Sequence, residues 1–225
     1  MDDANAPSAP ARRRIFLVDD HPLVREGLTK LIDREPDLCV CAEAEQAVQA
    51  YAGILRTRPD AVIVDLSLQH DSGLELIKRL QALAPPPPIL VLSMHDEAFY
   101  AERVLRAGAL GYVMKSESSG KIIAGLRQIL CGKLFVSPAI AAQAAEKFLR
   151  TRAVAANSPV DSLTDRELEV FRRIGQGQEN RRIAEDLHLS LKTVQTHCAH
   201  IKEKLGLANA TILMREAVRW VERQS

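Results

Sequence analysis

With 225 residues, 47% hydrophobic and 26% charged, the chain has ordinary globular composition and enough length for two modest domains rather than one. Lys and Arg total 30 against 29 Asp and Glu, so the overall charge neither suggests nor excludes a nucleic-acid partner. Cys39, Cys41, Cys131 and Cys198 have neither zinc-site spacing nor disulfide clustering, and no apolar run approaches the roughly 20 residues that cross a bilayer.

The first residues, Met1 to Pro10, are small, polar and acidic rather than basic and then apolar as in a signal peptide. Residues 1–11 are therefore expected to be disordered, and the protein to be cytoplasmic with no membrane partner. Five short apolar runs follow: Ile15 to Val18, Leu38 to Ala42, Ala61 to Val64, Ile89 to Leu92 and Leu110 to Met114. Continuous rather than alternating hydrophobicity predicts strands buried on both faces of a parallel sheet. The stretches between them carry helical spacing and start signals: Pro22, then Ser72-Gly73 ahead of Leu74, Leu76, Ile77 and Leu80, then Asp96 ahead of Phe99, Val104 and Leu105. Alternating strands and helices predict a doubly wound, five-stranded α/β domain over 12–132. Pro85 to Pro88 read as a stiff surface loop, with recognition by a proline-binding partner as the alternative.

Four of the five strands end in a reactive side chain. Asp19-Asp20 close the first, Asp65 the third, Ser93 the fourth and Lys115 the fifth. In an open parallel sheet these ends converge on one crevice. Three crowded carboxylates repel one another unless a cation sits among them, and an all-oxygen site with open positions suits Mg²⁺. Asp65 is then placed to attack a phosphoryl group as a covalent acceptor, with Lys115 and the Ser93 hydroxyl holding the phosphoryl oxygens. An aspartate-nucleophile phosphohydrolase would use similar groups, but it needs Asp-x-Asp with the nucleophile on the first strand. Here Asp19 and Asp20 are adjacent.

Val18-Asp19-Asp20-His21-Pro22, the interval Asp65 to Gly73, Leu92-Ser93 and Gly111-Tyr112-Val113-Met114-Lys115 resemble the receiver domains of two-component response regulators, which share the flavodoxin-like fold. The resemblance implies Mg²⁺ held by Asp19, Asp20, Asp65 and the backbone carbonyl of Ser67, with Lys115 paired to the phosphoryl group. It also implies a switch pair, Ser93 and Tyr112, and a cognate sensor histidine kinase as phosphodonor. The receiver would catalyse only its own phosphorylation and dephosphorylation. Leu68-Gln69 and Ser116 depart from the family pattern in loop geometry rather than in the reacting groups.

Residues 133–160 read as a linker, alanine-rich from Ser137 to Val160, with a short helix near Ile140 to Leu149. From Leu163 onward 11 basic and 9 acidic residues give +2, against −1 over 12–132. The capping box Thr164-x-x-Glu167 precedes a helix with Leu168, Phe171 and Ile174 inward, and Gly175 and Gly177 end it. A second helix turns Ile183, Ala184 and Leu187 inward, followed by a tight turn at His188-Leu189-Ser190. In the third helix Val194, Cys198, Ile201 and Leu205 form one buried stripe, leaving Lys192, Gln195, Thr196 and Ala199 outward. Two helices joined so tightly fit a helix-turn-helix over 161–225. From the residues alone, a helical bundle for protein contact fits as well.

Leu163-Thr164-x-Arg166-Glu167-x-Glu169-Val170, Gly177-x-x-Asn180, Ile183-Ala184, Thr193-Val194, His197, Ile201 and Lys204-Leu205 are similar to LuxR-type helix-turn-helix domains. Behind a receiver this identifies the chain as a member of the NarL/FixJ class. The expected DNA-contacting set is Asn180, Arg181, Arg182, Lys192, Thr193, Gln195, Thr196 and Lys202. Lys192, Arg181, Arg182 and Lys202 would meet phosphates, and Gln195 a base edge of double-stranded promoter DNA. The family commonly has basic residues where Gln195, Ala199 and Ala210 stand, so affinity is expected to rely on dimerisation. By the resemblance Leu213, Ala217, Trp220 and Val221 would form a homodimer face; packing onto their own domain is the alternative. RNA polymerase would be a further partner.

Overall fold

The computed structural model describes residues 11–68, 72–142, 159–187 and 189–223. The expected disordered start, Gln69 of the loop departure, most of the linker helix and His188 of the tight turn lie outside the described residues. The chain divides into two compact units, Met1–Glu97 with Val104–Ser137, and Ala98–Arg103 with Pro138–Ser225.

The α/β part of the chain alternates β1 (Arg13–Val18), α1 (Pro22–Asp33), β2 (Leu38–Ala44), α2 (Ala47–Thr57), β3 (Ala61–Asp65), α3 (Gly73–Gln81), β4 (Ile89–Ser93), α4 (Glu97–Arg106), β5 (Gly111–Met114) and α5 (Ser119–Leu130). All five strands are parallel in the order β2-β1-β3-β4-β5. The expected runs are strands because they fill the middle of a three-layer structure: β3 and β4 are buried along their whole length. On one side, Ile15, Leu17 and Ile63 pack with Leu28 and Ile32 of α1 and with Ile122, Leu126 and Ile129 of α5. Ser72 starts α3 by accepting the Glu75 amide at 3.4 Å, the cap its sequence position predicts.

The order of connection reverses between β1 and β3, so their carboxyl ends border the crevice where such sheets bind ligands. Gly73 keeps α3 close to it. A Cβ there would lie 2.3 Å from the Asp65 carbonyl oxygen.

Residues past α5 stay with the sheet rather than beginning the linker at 133. The Phe135 amide donates to the Leu110 carbonyl at 2.8 Å, and the Phe135 carbonyl accepts the Tyr112 amide at 2.9 Å. Phe135 thus adds one parallel bridge beside Gly111. The sequence signals a helix end at Gly132, and the apolar Leu134-Phe135-Val136 that follows is too short for its single-residue bridge to show a periodicity.

The second unit holds a short 3₁₀ turn (Pro159–Ser162), α6 (Asp165–Gly175), α7 (Asn180–Asp186), α8 (Leu191–Lys204) and α9 (Ala210–Glu222). The capping box is complete: Thr164 Oγ1 accepts the Glu167 amide at 3.3 Å, and Glu167 Oε2 accepts the Thr164 amide at 2.8 Å. Ser190 and Asn209 cap α8 and α9 in the same manner, each at 3.0 Å. Leu168, Phe171, Ile174, Ile183, Ala184, Val194 and Ile201 are buried as expected, whereas Cys198 and Leu205 are only half-buried.

Gly175 sets the distance between α6 and α9, since a Cβ on it would lie 2.4 Å from the Ala217 carbonyl oxygen. Replacing a helical glycine by alanine ordinarily gains up to about 1 kcal/mol. Here the added atom meets backbone, which cannot rotate away. Gly175→Ala should therefore destabilise the helical unit, by about 1–3 kcal/mol as in other overpacked cores. Urea unfolding followed by Trp220 fluorescence measures this, and an unchanged or raised midpoint would refute the close approach.

Candidate functional site

The carboxylates of Asp19 and Asp65 are nearly inaccessible and share one cation. Lys115 Nζ lies 2.6 Å from Asp19 Oδ2 and 2.7 Å from Asp65 Oδ2. The second oxygens are also engaged: Asp65 Oδ1 accepts the Ser67 amide at 3.1 Å, and Asp19 Oδ1 the His21 amide at 2.9 Å. Burial pushes the Asp65 carboxyl above its usual range; Lys115 pulls it back and Asp19 raises it further. Burial alone would lower the Lys115 ammonium, but Asp65 and Asp19 together outweigh it and hold its pKa above the ordinary lysine value.

Asp20 differs from its neighbours. Its side chain is 7% exposed, and its Oδ1 lies 2.8 Å from Nδ1 of the exposed His21 imidazole, but neither of its oxygens accepts an aligned hydrogen bond. Three carboxylates facing one ammonium leave two negative charges, and one donor atom from each of Asp19, Asp20, His21 and Asp65 falls within 4.8 Å of the others. A buried, unsatisfied carboxylate is costly unless a cation completes it. The pocket therefore fits a divalent ion on charge, donor type and an orphaned buried group.

Ser93 and Tyr112 are both buried. Ser93 ends β4 beside Met114, and its carbonyl accepts the Lys115 amide at 2.7 Å. His95 links the two: its amide donates to Ser93 Oγ at 3.1 Å, and its carbonyl accepts the Tyr112 hydroxyl at 2.8 Å. The Tyr112 ring is turned into the protein, and burial pushes its phenol pKa well up.

Two contributors were not read from the sequence. Ser67 Oγ lies 2.7 Å from His95 Nε2. Arg25, buried in α1, donates to the Asp19 carbonyl at 2.7 Å, Glu45 at 2.7 Å and Glu43 at 3.2 Å. It braces the loop that carries both aspartates. Its signal was present: Arg25 occupies the inward register of Leu28 and Ile32, where a charge needs a reason.

On the helical unit, Lys192, Gln195 and Thr196 are exposed on α8, and Arg181 and Arg182 on α7. Thr193 and Lys202 are half-buried. Ser190 caps α8, leaving its outward N-terminal half presented as a recognition helix requires. Asn180 turns partly inward, with the Cys198 thiol 3.9 Å from its Oδ1. Arg182 pairs with Asp186 at 3.1 Å, so a phosphate would compete with that carboxylate.

Residues 15–127 match the response regulator receiver domain, and residues 161–217 match the bacterial regulatory proteins of the luxR family. The oxygen regulatory protein NreC of Staphylococcus carnosus is 33% identical over 210 residues, covering 92% of this chain and 97% of that protein. The chain is a response regulator with a LuxR-type DNA-binding domain.

Solved structures agree. A LuxR-family two-component response regulator from Aurantimonas sp. SI85-9A1 is 39% identical, with TM-score 0.57, over 62% of this chain and 99% of that one. A complex of the two-component response regulator RcsB with DNA is 25% identical, with TM-score 0.54, over 91% of this chain and 97% of RcsB. Among the described residues, no helix of the response regulator is long and apolar enough to cross a membrane.

The expected dimer face needs correction. Leu213 and Ala217 are buried at 3% and 0% exposure, Val221 reaches the Gly175 contact, and the Trp220 ring centroid is 5.9 Å from that of Phe171. This face of α9 packs on α6 of its own domain, because Gly175 lets the helices close. Met214, 53% exposed, lies on the other side of α9.

Proposed function

We propose that this response regulator accepts a phosphoryl group on Asp65 from a cognate sensor histidine kinase and, so modified, binds double-stranded promoter DNA as a homodimer. Asp19, Asp20, Asp65 and the backbone carbonyl of Ser67 would hold Mg²⁺, which when bound neutralises the crowded carboxylates and orients the incoming phosphoryl oxygens. Asp65 forms the new P–O bond while the donor's bond to phosphorus breaks and its electron pair leaves with the donor. Lys115 then pairs with a phosphoryl oxygen, and Ser93 donates its hydroxyl to another. The chain catalyses only this self-phosphorylation and its hydrolysis.

The observation that carries the reading is the orphaned Asp20 carboxylate beside the Asp65–Lys115 pair, in a chain that also carries an exposed, capped recognition helix. Ser93 and Tyr112, joined through His95, form the switch. Phosphorylation can shift their equilibrium only through contacts that differ between the two states. Residues 12–137 act as the receiver, 161–225 as the DNA-binding domain and the segment between them as the connection. The protein works in the cytoplasm, with RNA polymerase as a further partner.

A beryllofluoride mimic with Mg²⁺ tests this. Light scattering should show a rise in mass and DNA titration a gain in affinity; unchanged mass together with unchanged affinity would count decisively against phosphorylation control.

A further inference from the structure

Leu191 opens α8 with a large apolar side chain that is 44% exposed, beside the exposed Lys192, Gln195 and Thr196. Every residue of the expected DNA-contacting set is polar, and Leu191 is not among them. Single exposed leucines are ordinary on protein surfaces, but the turn that carries this one is built to meet a polyanion. α6 begins with Asp165 and Glu167, as the positive end of a helix favours, whereas the first turn of α8 has no acidic residue and places Lys192 there instead. A cation at a helix N-terminus opposes the dipole, and that cost is offset when negative charge approaches from outside. Ser190 fixes the turn: its Oγ accepts the Thr193 amide at 3.0 Å and lies 2.8 Å from the Thr193 hydroxyl. The backbone of Leu191 is thus set before DNA arrives.

Resting on the reading of α8 as the recognition helix, we propose that Leu191 reads a thymine, packing its side chain against the C5 methyl group in the major groove. Residues at the N-terminal end of a recognition helix meet base edges. The thymine methyl is the apolar group that a base pair presents there, and the other readable features are hydrogen-bond donors and acceptors. Four residues of helix turn through about 400° and rise about 6 Å, so Leu191 and Gln195 lie on neighbouring lines of one face. That rise spans roughly two base-pair steps of about 3.4 Å. With Gln195 on an adenine, Leu191 takes a thymine within about two base pairs of it. The two side chains then read adjacent positions by unlike signals, a hydrogen-bonded edge and a methyl contact.

The test uses the full chain with Mg²⁺ and beryllofluoride. The wild type first selects sites from random duplex DNA, and each thymine of the selected half-site is then replaced by deoxyuridine, which removes the methyl and keeps the pairing. One replacement within about two base pairs of the position read by Gln195 should weaken wild-type binding about fourfold, the effect of burying one methyl-sized group. In Leu191→Ala the same replacement should cost nothing, while affinity for random DNA and the salt slope keep their wild-type values. A selected site with no thymine in that window, or deoxyuridine losses that are equal in wild type and Leu191→Ala, overturns the methyl contact. A loss for Gln195→Ala confined to the selected site would then leave the recognition helix standing. Failure of the wild type to enrich any sequence overturns both.

Discussion

Asp65→Asn is expected to carry no acid-labile phosphate after incubation with a small phosphodonor and Mg²⁺, where the wild type becomes stoichiometrically modified. The amide keeps the side-chain shape but cannot serve as the carboxylate nucleophile. Among the described residues, Asp19 and Asp20 are the carboxylates grouped with Asp65. Asp19 is tied to Lys115 and the His21 amide, and Asp20 Oδ1 lies 2.8 Å from His21 Nδ1, so neither should substitute. The fold should survive, and the sign of the stability change follows from burial. The Asp65 pKa is raised in the folded state, by desolvation first and with Lys115 opposing. Stabilisation from its protonated form is present below the unfolded value near about 4 and is lost as pH rises through the higher folded value. At neutral pH and without metal, the ionised carboxylate therefore opposes folding. The Asn variant should unfold at an equal or higher temperature, by a margin that narrows as pH falls. Stoichiometric acid-labile phosphate on the variant would sink the acceptor assignment.

Lys192→Ala and Gln195→Ala should separate holding DNA from reading it. Both side chains are exposed near the start of α8, but their chemistry differs. Removing one phosphate contact weakens binding to all sequences alike and lowers the magnitude of the salt slope by roughly one. An amide paired with an adenine edge discriminates by about 1–3 kcal/mol, up to roughly a hundredfold. Gln195→Ala should thus lose most on the cognate site and little on random DNA, whereas Lys192→Ala should lose equally on both. Titrations at several salt concentrations decide it. Equal losses for Gln195→Ala, accompanied by a changed salt slope, would mean that α8 lies in the groove the other way round.

The sheet was legible because its signal is physical and local: a strand buried on both faces, such as Ala61 to Val64, has no polar position to interrupt the apolar run. The acidic pocket was legible for a related reason. A charged residue placed at the end of such a run, as at Asp19, Asp65 and Lys115, projects into the crevice by topology alone. Contacts between distant segments left no such trace. Arg25 reaching Glu43 and Glu45, or Ser67 meeting His95, depends on loops whose course no periodicity encodes. The α9 face shows a different limit. An apolar stripe at Leu213 and Ala217 states that something covers it but not what, and only the missing side chain at Gly175, one helix away, decided for the chain's own α6.

The bridge at Phe135 bears on solubility. An end strand offers a row of free donors and acceptors, a ready template on which another chain can add a strand. At β5 the carbonyl of Leu110 and the amide of Tyr112 are already taken by Phe135. A second molecule seeking to extend the sheet there would first have to peel away the segment around Phe135. The few residues that carry the chain out of its first domain thus also shield that domain from edge-to-edge aggregation.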